Sequence, residues 1–278
     1  MTKPDTTDEA TPDSRLRRLR NRTIAVLFIG FVFLTSFFFF FFAAGIWMVT
    51  RPFDRRLRLL HRYTSHWAAL YLWLFPPWSV TVHGREKIDP DATYVIVSNH
   101  QSLVDILVLF LLFRHFKWVS KAELFHIPLI GWNMWLNGYV RLVRGNSKSI
   151  RHMYDACEQH LVEGSSILMF PEGTRSPTGR MRDFKEGAFL LAQRKAVPIL
   201  PLVINGSKNA LPKSSLNFHG NTHIELEVLD PIPPEGFTEE SIDDLRLRIR
   251  ELIRERVWEE QEAQSASRGT PRNTDELG

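Results

Sequence analysis

Cysteine is almost missing from this chain. Cys157 is the only one in 278 residues, so no internal disulfide can form, which fits a reducing compartment. None of the ten histidines stands at a recognised metal-ligand spacing, so neither a metal nor another cofactor is expected. There is no Gly-x-Ser-x-Gly, which a serine esterase of the strand–turn–helix kind would need. No segment repeats another. Neither sign of charge dominates: 35 Lys and Arg against 31 Asp and Glu leave a net charge of +4. No recognised nucleic-acid motif accompanies the bases, so nucleic acid is not an expected partner.

What is present is unevenly placed. The length suits one medium domain with a full hydrophobic core, plus extensions. Residues 1–22 read as a disordered basic arm, polar at first and then rich in arginine. From Ile24 to Val49 no charge occurs, and Phe37 to Phe42 are six phenylalanines in a row. As a helix this stretch would be about 39 Å long and apolar on every side, enough to cross a bilayer with tilt. Arginines at 15, 17, 18, 20 and 22, and again at 51, 55, 56, 58 and 62, flank it equally. Charge therefore gives no orientation, but both clusters suit anionic headgroups. His66 to Phe75 is apolar and aromatic yet too short to span. Residues 23–78 thus form either a span with an interfacial helix or a helical pair that dips into one leaflet and returns. Balanced arginines favour the pair, with both ends cytosolic.

From residue 79 the text changes to strands alternating with helices, the pattern of an α/β domain with a central layered sheet, running to 262 before a loose tail at 263–278. Strands are expected near 80–82, 94–98, 117–120, 139–143, 167–170, 199–203 and 223–229. Helices are expected near 103–113, 147–162, 187–195 and 241–260. The second helix places Ile150, Met153, Tyr154, Cys157 and Leu161 on one core-facing stripe, which makes Cys157 a core residue rather than a nucleophile. The last opens with a capping box at Ser241–Asp244.

Two stretches carry chemistry. His100 follows the apolar run Tyr94–Val97, with Asp105 five residues on. Five residues turn a helix by about 500°, so on one helix the two side chains would point about 140° apart. They meet only if His100 lies in the loop and Asp105 on the first helical turn. An imidazole there can take and return a proton, with the carboxylate fixing its tautomer. The same Ser102-x-x-Asp105 also reads as a plain helix cap, and the two roles are compatible. The second stretch is Phe170-Pro171-Glu172-Gly173-Thr174-Arg175-Ser176, a tight turn at a strand end. Arg175 could grip a phosphate at two points, and Gly173 lets backbone N–H groups approach it. Glu172 could accept from a substrate hydroxyl or hold Arg175, and Lys121 could add a point charge.

Asn99-His100-x4-Asp105 followed by Phe170–Ser176 resembles the glycerolipid acyltransferase family, above all the 1-acyl-sn-glycerol-3-phosphate acyltransferases. Further matching blocks occur in order over roughly 80–230: Lys121-x-Glu123-Leu124, Gly138 to Arg144, Phe184-Lys185-x-Gly187, and Val197 to Pro201. In the block at 138–144, Arg141 stands where the family has an apolar residue and Val143 where it has a polar one; Arg144 remains. The resemblance implies His100 as general base and Asp105 as its partner. It implies Glu172, Gly173, Thr174 and Arg175 as the acceptor-binding loop, Lys121 as a phosphate ligand, and Pro201 in a block tied to the acyl donor. The implied reaction is direct acyl transfer from acyl-CoA or acyl carrier protein to the free hydroxyl of a lysophospholipid, at the cytosolic face of a membrane. Glycerol 3-phosphate, another lysophospholipid or a lyso-aminolipid are alternative acceptors; a lipid esterase or a non-enzymatic scaffold are the rival classes.

Overall fold

The computed structural model describes residues 12–176, 180–210 and 221–258. In chain order the elements are α1 (Pro12–Thr50), α2 (Arg58–Trp73), β1 (Trp78–His83), β2 (Val95–Ser98), α3 (Val104–Phe110), β3 (Phe116–Lys121), α4 (Ile130–Leu136), β4 (Val140–Leu142), α5 (Ser147–Val162), β5 (Ser166–Met169), α6 (Gly187–Lys195), β6 (Ile199–Asn205), α7 (Ser207–Ala210), β7 (Thr222–Val228) and α8 (Ile242–Arg254). The seven strands make one sheet in the order β1-β7-β6-β2-β5-β3-β4. Every neighbouring pair is parallel except β6 with β7.

The central strands β2, β5 and β6 are nearly continuous apolar runs because both faces of the sheet are covered there. Alternate residues sort between two cores: Ile96, Leu168 and Leu200 face α2 and α3, whereas Val95, Val97, Ile167 and Met169 face α5, α6 and α8. Cys157 is fully buried in the second core. Ile150 departs from the stripe expected for α5: it is 36 % exposed and turns to a cleft rather than to the core.

Helix ends differ from expectation where backbone geometry intervenes. α3 stops at Phe110 rather than 113, because residues 111–113 tighten into i→i+3 turns and Phe113 takes φ +50°. α8 stops at Arg254 in similar tight turns, and Asn205 Oδ1 then accepts from the Trp258 N–H at 3.1 Å. At its start, Ser241 Oγ accepts from the Asp244 N–H and also donates to the Asp244 carboxylate. The basic arm is a correction as well: it is helical from Pro12, continuous with the apolar stretch. Residues 1–11, and the tail beyond 258, lie outside the described residues.

α1 holds one uncharged, apolar stretch long enough to cross a membrane, Val26–Thr50. It does not stand free. Phe28 packs against Phe75 and Trp78, Phe39 against Trp67, and Phe40 against Trp132 of α4. Thr35 and Ser36 bond the Tyr71 hydroxyl at 2.9 and 3.1 Å. Residues 28, 35, 36, 39 and 40 share one side of α1, laid along α2, the chain just after it and α4. The opposite side, including Leu27, Leu34, Phe38, Phe41 and Phe42, is exposed.

Candidate active site

β2, β5, β3 and β4 all end at the same carboxyl edge of the sheet, where open α/β folds place their ligands. His100 leaves β2 there. What fixes its exit is Asn99, which is fully buried and imitates a strand residue: its Nδ2 donates to the Ile204 carbonyl and its Oδ1 accepts from the Ile204 N–H, both at 2.8 Å. The chain then turns into α3, and Asp105, on the first turn, folds back. His100 Nδ1 lies 2.8 Å from Asp105 Oδ2. The same oxygen accepts from the backbone N–H of Gln101 at 2.7 Å and of Ser102 at 2.9 Å. Asp105 therefore caps the loop and orients the imidazole with one atom. Its other oxygen, Oδ1, has no hydrogen-bond partner among the described residues.

A carboxylate can only accept, so His100 Nδ1 carries the proton and Nε2 is left as the free base nitrogen. The ring stacks on Phe170, with centroids 3.8 Å apart and planes 9° from parallel. The side chain is only 12 % exposed.

The loop after β5 grips both main-chain polar groups of His100. Glu172 Oε1 accepts from the His100 N–H at 2.7 Å, and the Ser176 N–H donates to the His100 carbonyl at 2.9 Å. Glu172 Oε2 accepts from the Arg182 N–H at 3.0 Å. Glu172 is only 4 % exposed and burial raises its pKa from 4.5 to about 7. Both of its oxygens accept from backbone N–H groups, so Glu172 fastens the loop. Gly173 sits at φ +70°, a conformation that favours glycine, with the Lys185 side chain lying over it.

The cleft at this edge is about 750 Å³, within the range of small-molecule sites. His100, Lys121, Gly173, Thr174 and Arg175 all line it. Arg144 and Lys185 add cations that spacing alone did not single out. Lys121 is shared with Glu123 at 3.0 Å, and both are substantially exposed. The departure in the 138–144 block leaves the cleft untouched: Leu142 and Arg144 line it, while Arg141 and Val143 turn outward. Pro201 is not brought to the site. It is buried within β6 beside Val97, and its carbonyl accepts from Leu229, because the register sets it three residues short of the level where His100 emerges.

Sequence alone gave no role to Asn99, Phe170 or Lys185. Asn99 and Phe170 were marked only by their place in the two motifs, and Lys185 only by a matching block.

A family model described as Acyltransferase matches residues 79–205. A 1-acyl-sn-glycerol-3-phosphate acyltransferase of Chlamydomonas reinhardtii is 33% identical over 248 residues, covering 88% of this chain and 73% of that protein. A chloroplastic 1-acyl-sn-glycerol-3-phosphate acyltransferase of Arabidopsis thaliana is 37% identical over 177 residues, 62% of this chain and 49% of its own length. The matches thus span from about half to about three quarters of these relatives. Among solved structures, the 1-acyl-sn-glycerophosphate (LPA) acyltransferase PlsC of Thermotoga maritima superposes with a TM-score of 0.68 at 25% identity, covering 92% of this chain and 99% of that one.

Proposed function

The chain belongs to the 1-acyl-sn-glycerol-3-phosphate acyltransferase family, and from that premise we propose that it transfers a fatty acyl group from a thioester, acyl-CoA or acyl carrier protein, to the free hydroxyl of 1-acyl-glycerol 3-phosphate. The observation that carries the reading is the His100–Asp105 contact at 2.8 Å beside a cation-lined cleft. His100 Nε2 takes the proton of the lysolipid hydroxyl as its oxygen attacks the thioester carbonyl. When the tetrahedral adduct collapses, the carbon–sulfur bond breaks and the imidazolium returns its proton to the departing thiolate. Asp105 stabilises that imidazolium. The stack on Phe170 restricts the ring, so less orientation is lost on reaching the transition state.

Arg175, assisted by Lys121, Arg144 and Lys185, holds the acceptor's phosphate. The Gly173–Thr174 turn brings backbone close to the same anion, while Glu172 keeps that turn attached to the base.

The acceptor lives in a bilayer, and α1 supplies the attachment. Phe28 and Phe40 are about 18 Å apart along the helix axis, and each touches a different part of the folded domain. An upright span would carry Trp78 and α4 into hydrocarbon with it. A helix lying along one leaflet, packed on α2 and wet by lipid on its Leu34–Phe38–Phe41 side, avoids this. The cleft then opens at the cytosolic membrane surface.

The test is a mass-spectrometric product screen in detergent, offering acyl-CoA and acyl carrier protein donors with a panel of lysolipids. Phosphatidic acid is the expected product. Release of free fatty acid, with no acceptor consumed, would make the protein a thioesterase and end the reading.

A further inference from the structure

α4 is built inside out. It buries Gly131 and Asn133 while presenting Trp132 and Trp135 to the outside at 47 and 53 % exposure. Asn133 Nδ2 donates to Thr64 of α2 at 3.2 Å, and a Cβ on Gly131 would strike the backbone of Leu124 at 2.5 Å. These contacts fix the helix with its aromatic side outward, the reverse of the usual preference. Ile127 and Ile130, just before, are 42 and 45 % exposed. The patch continues into α1 through the Trp132–Phe40 contact, with centroids 5.6 Å apart.

A basic rim adjoins it. The Arg141 guanidinium lies 4.2 Å over the Trp135 ring, and Arg141, Lys148 and His152 share a depression of about 750 Å³ at the sheet edge with Trp135. No Asp or Glu lines that depression among the described residues. Arg141 is one of the two residues that depart from the family pattern, and it contributes here rather than in the cleft.

We propose that α4 and the β4 edge form a membrane-docking surface of the catalytic domain itself, additional to α1 and α2. It seats on an anionic leaflet, with Ile127, Ile130, Trp132 and Trp135 at the acyl–headgroup boundary and Arg141 and Lys148 on lipid phosphates. Tryptophan is an interfacial residue, and basic side chains beside it are held by negative surface potential. Continuity with the lipid-facing side of α1 selects a bilayer over a protein partner. Lys121 and Leu124, which line the cleft, immediately precede the patch in sequence, so docking here sets the cleft mouth at the headgroups. The proposal rests on the reading that the chain works at a membrane, but not on which lipid it acylates.

The single, fully buried Cys157 permits site-specific labelling. Full-length Trp135→Cys, labelled with an environment-sensitive fluorophore, is placed in phosphatidylcholine vesicles with or without phosphatidylglycerol and with shallow spin-labelled lipid. Leu247→Cys, exposed on α8, is the control. The label at 135 is expected to be quenched and that at 247 not. Combining the first with Arg141→Gln and Lys148→Gln should lower the docked-to-undocked ratio in anionic vesicles by about 5-fold per charge, equivalent to about 1 kcal/mol per basic group. Equal quenching at 135 and 247 would overturn the proposal, and so would protection of the 135 label by acyl carrier protein but not by vesicles. Quenching equal in neutral and anionic vesicles would overturn the part assigned to Arg141 and Lys148. None of these readings depends on turnover, so a failed acyl-transfer assay leaves them distinguishable.

Discussion

Asp105→Asn separates the two jobs that one carboxylate oxygen performs. Gln101 and Ser102 both point backbone N–H groups at Oδ2. The Asn carbonyl must take that place, so the cap survives and the His100 tautomer is kept. The negative charge facing the imidazolium is lost. Opposite unit charges about 4 Å apart attract by about 4 kcal/mol at an effective dielectric of 20. A neutral hydrogen bond restores about 1 kcal/mol, leaving about 3 kcal/mol, or about 10²-fold, on kcat. The Asn NH2 falls where Oδ1 has no partner, and an unsatisfied buried donor costs about 1–3 kcal/mol of stability. The assay is thiol release from acyl-CoA by purified protein in detergent, with thermal melting alongside. The expected result is a large fall in kcat with the fold retained. Full turnover in a folded Asn variant would show that Asp105 serves only as a helix cap, and the base assignment of His100 would lose its support.

Glu172 gives a pH prediction whose sign follows from its raised pKa. Between pH 4.5 and about 7 the native state holds a proton that the unfolded chain has released. Stability therefore falls as pH rises through that window, by up to about 1.4 kcal/mol per pH unit; melting curves across it should show a negative slope that Glu172→Gln flattens. Lys117, only 1 % exposed, donates to the Arg56 and Asn137 carbonyls at 2.8 and 2.6 Å. Lys117→Met leaves two carbonyls unpaired and should cost about 2 kcal/mol or more, read by denaturant or thermal unfolding. Phe170→Ala removes the ring stacked on His100 and should lower kcat by up to about 10²-fold with little change in the acceptor's KM; an unchanged kcat would show that the stack does not position the base.

The centre of the sheet was legible because β2, β5 and β6 are nearly continuous apolar runs, and α6 was read to the residue since its pattern has no competing signal. The ends of α3 and α8 were not, because tight turns and a left-handed Phe113 follow from packing rather than from propensity. At the site, the convergence of His100 with Asp105 was readable from spacing, both residues lying within one loop and one turn. The clasp by Glu172 joins positions 72 apart and the Asn99 pairing joins positions 105 apart. Nothing local announces either. Pro201 shows the opposite hazard: a residue can sit in a matching block and still lie inside the sheet.

The two-ended grip of residues 172–176 on the backbone of a single residue limits how such a protein can change its taste in headgroups. Remodelling the turn would tilt the very backbone that presents the imidazole, so each trial would be charged against proton transfer. Side chains reaching in from the rim, at 121 and 144, make no hydrogen bond or ion pair with that turn among the described residues. New acceptor preferences should be sought there, by exchange of length and charge, with the turn left as it stands.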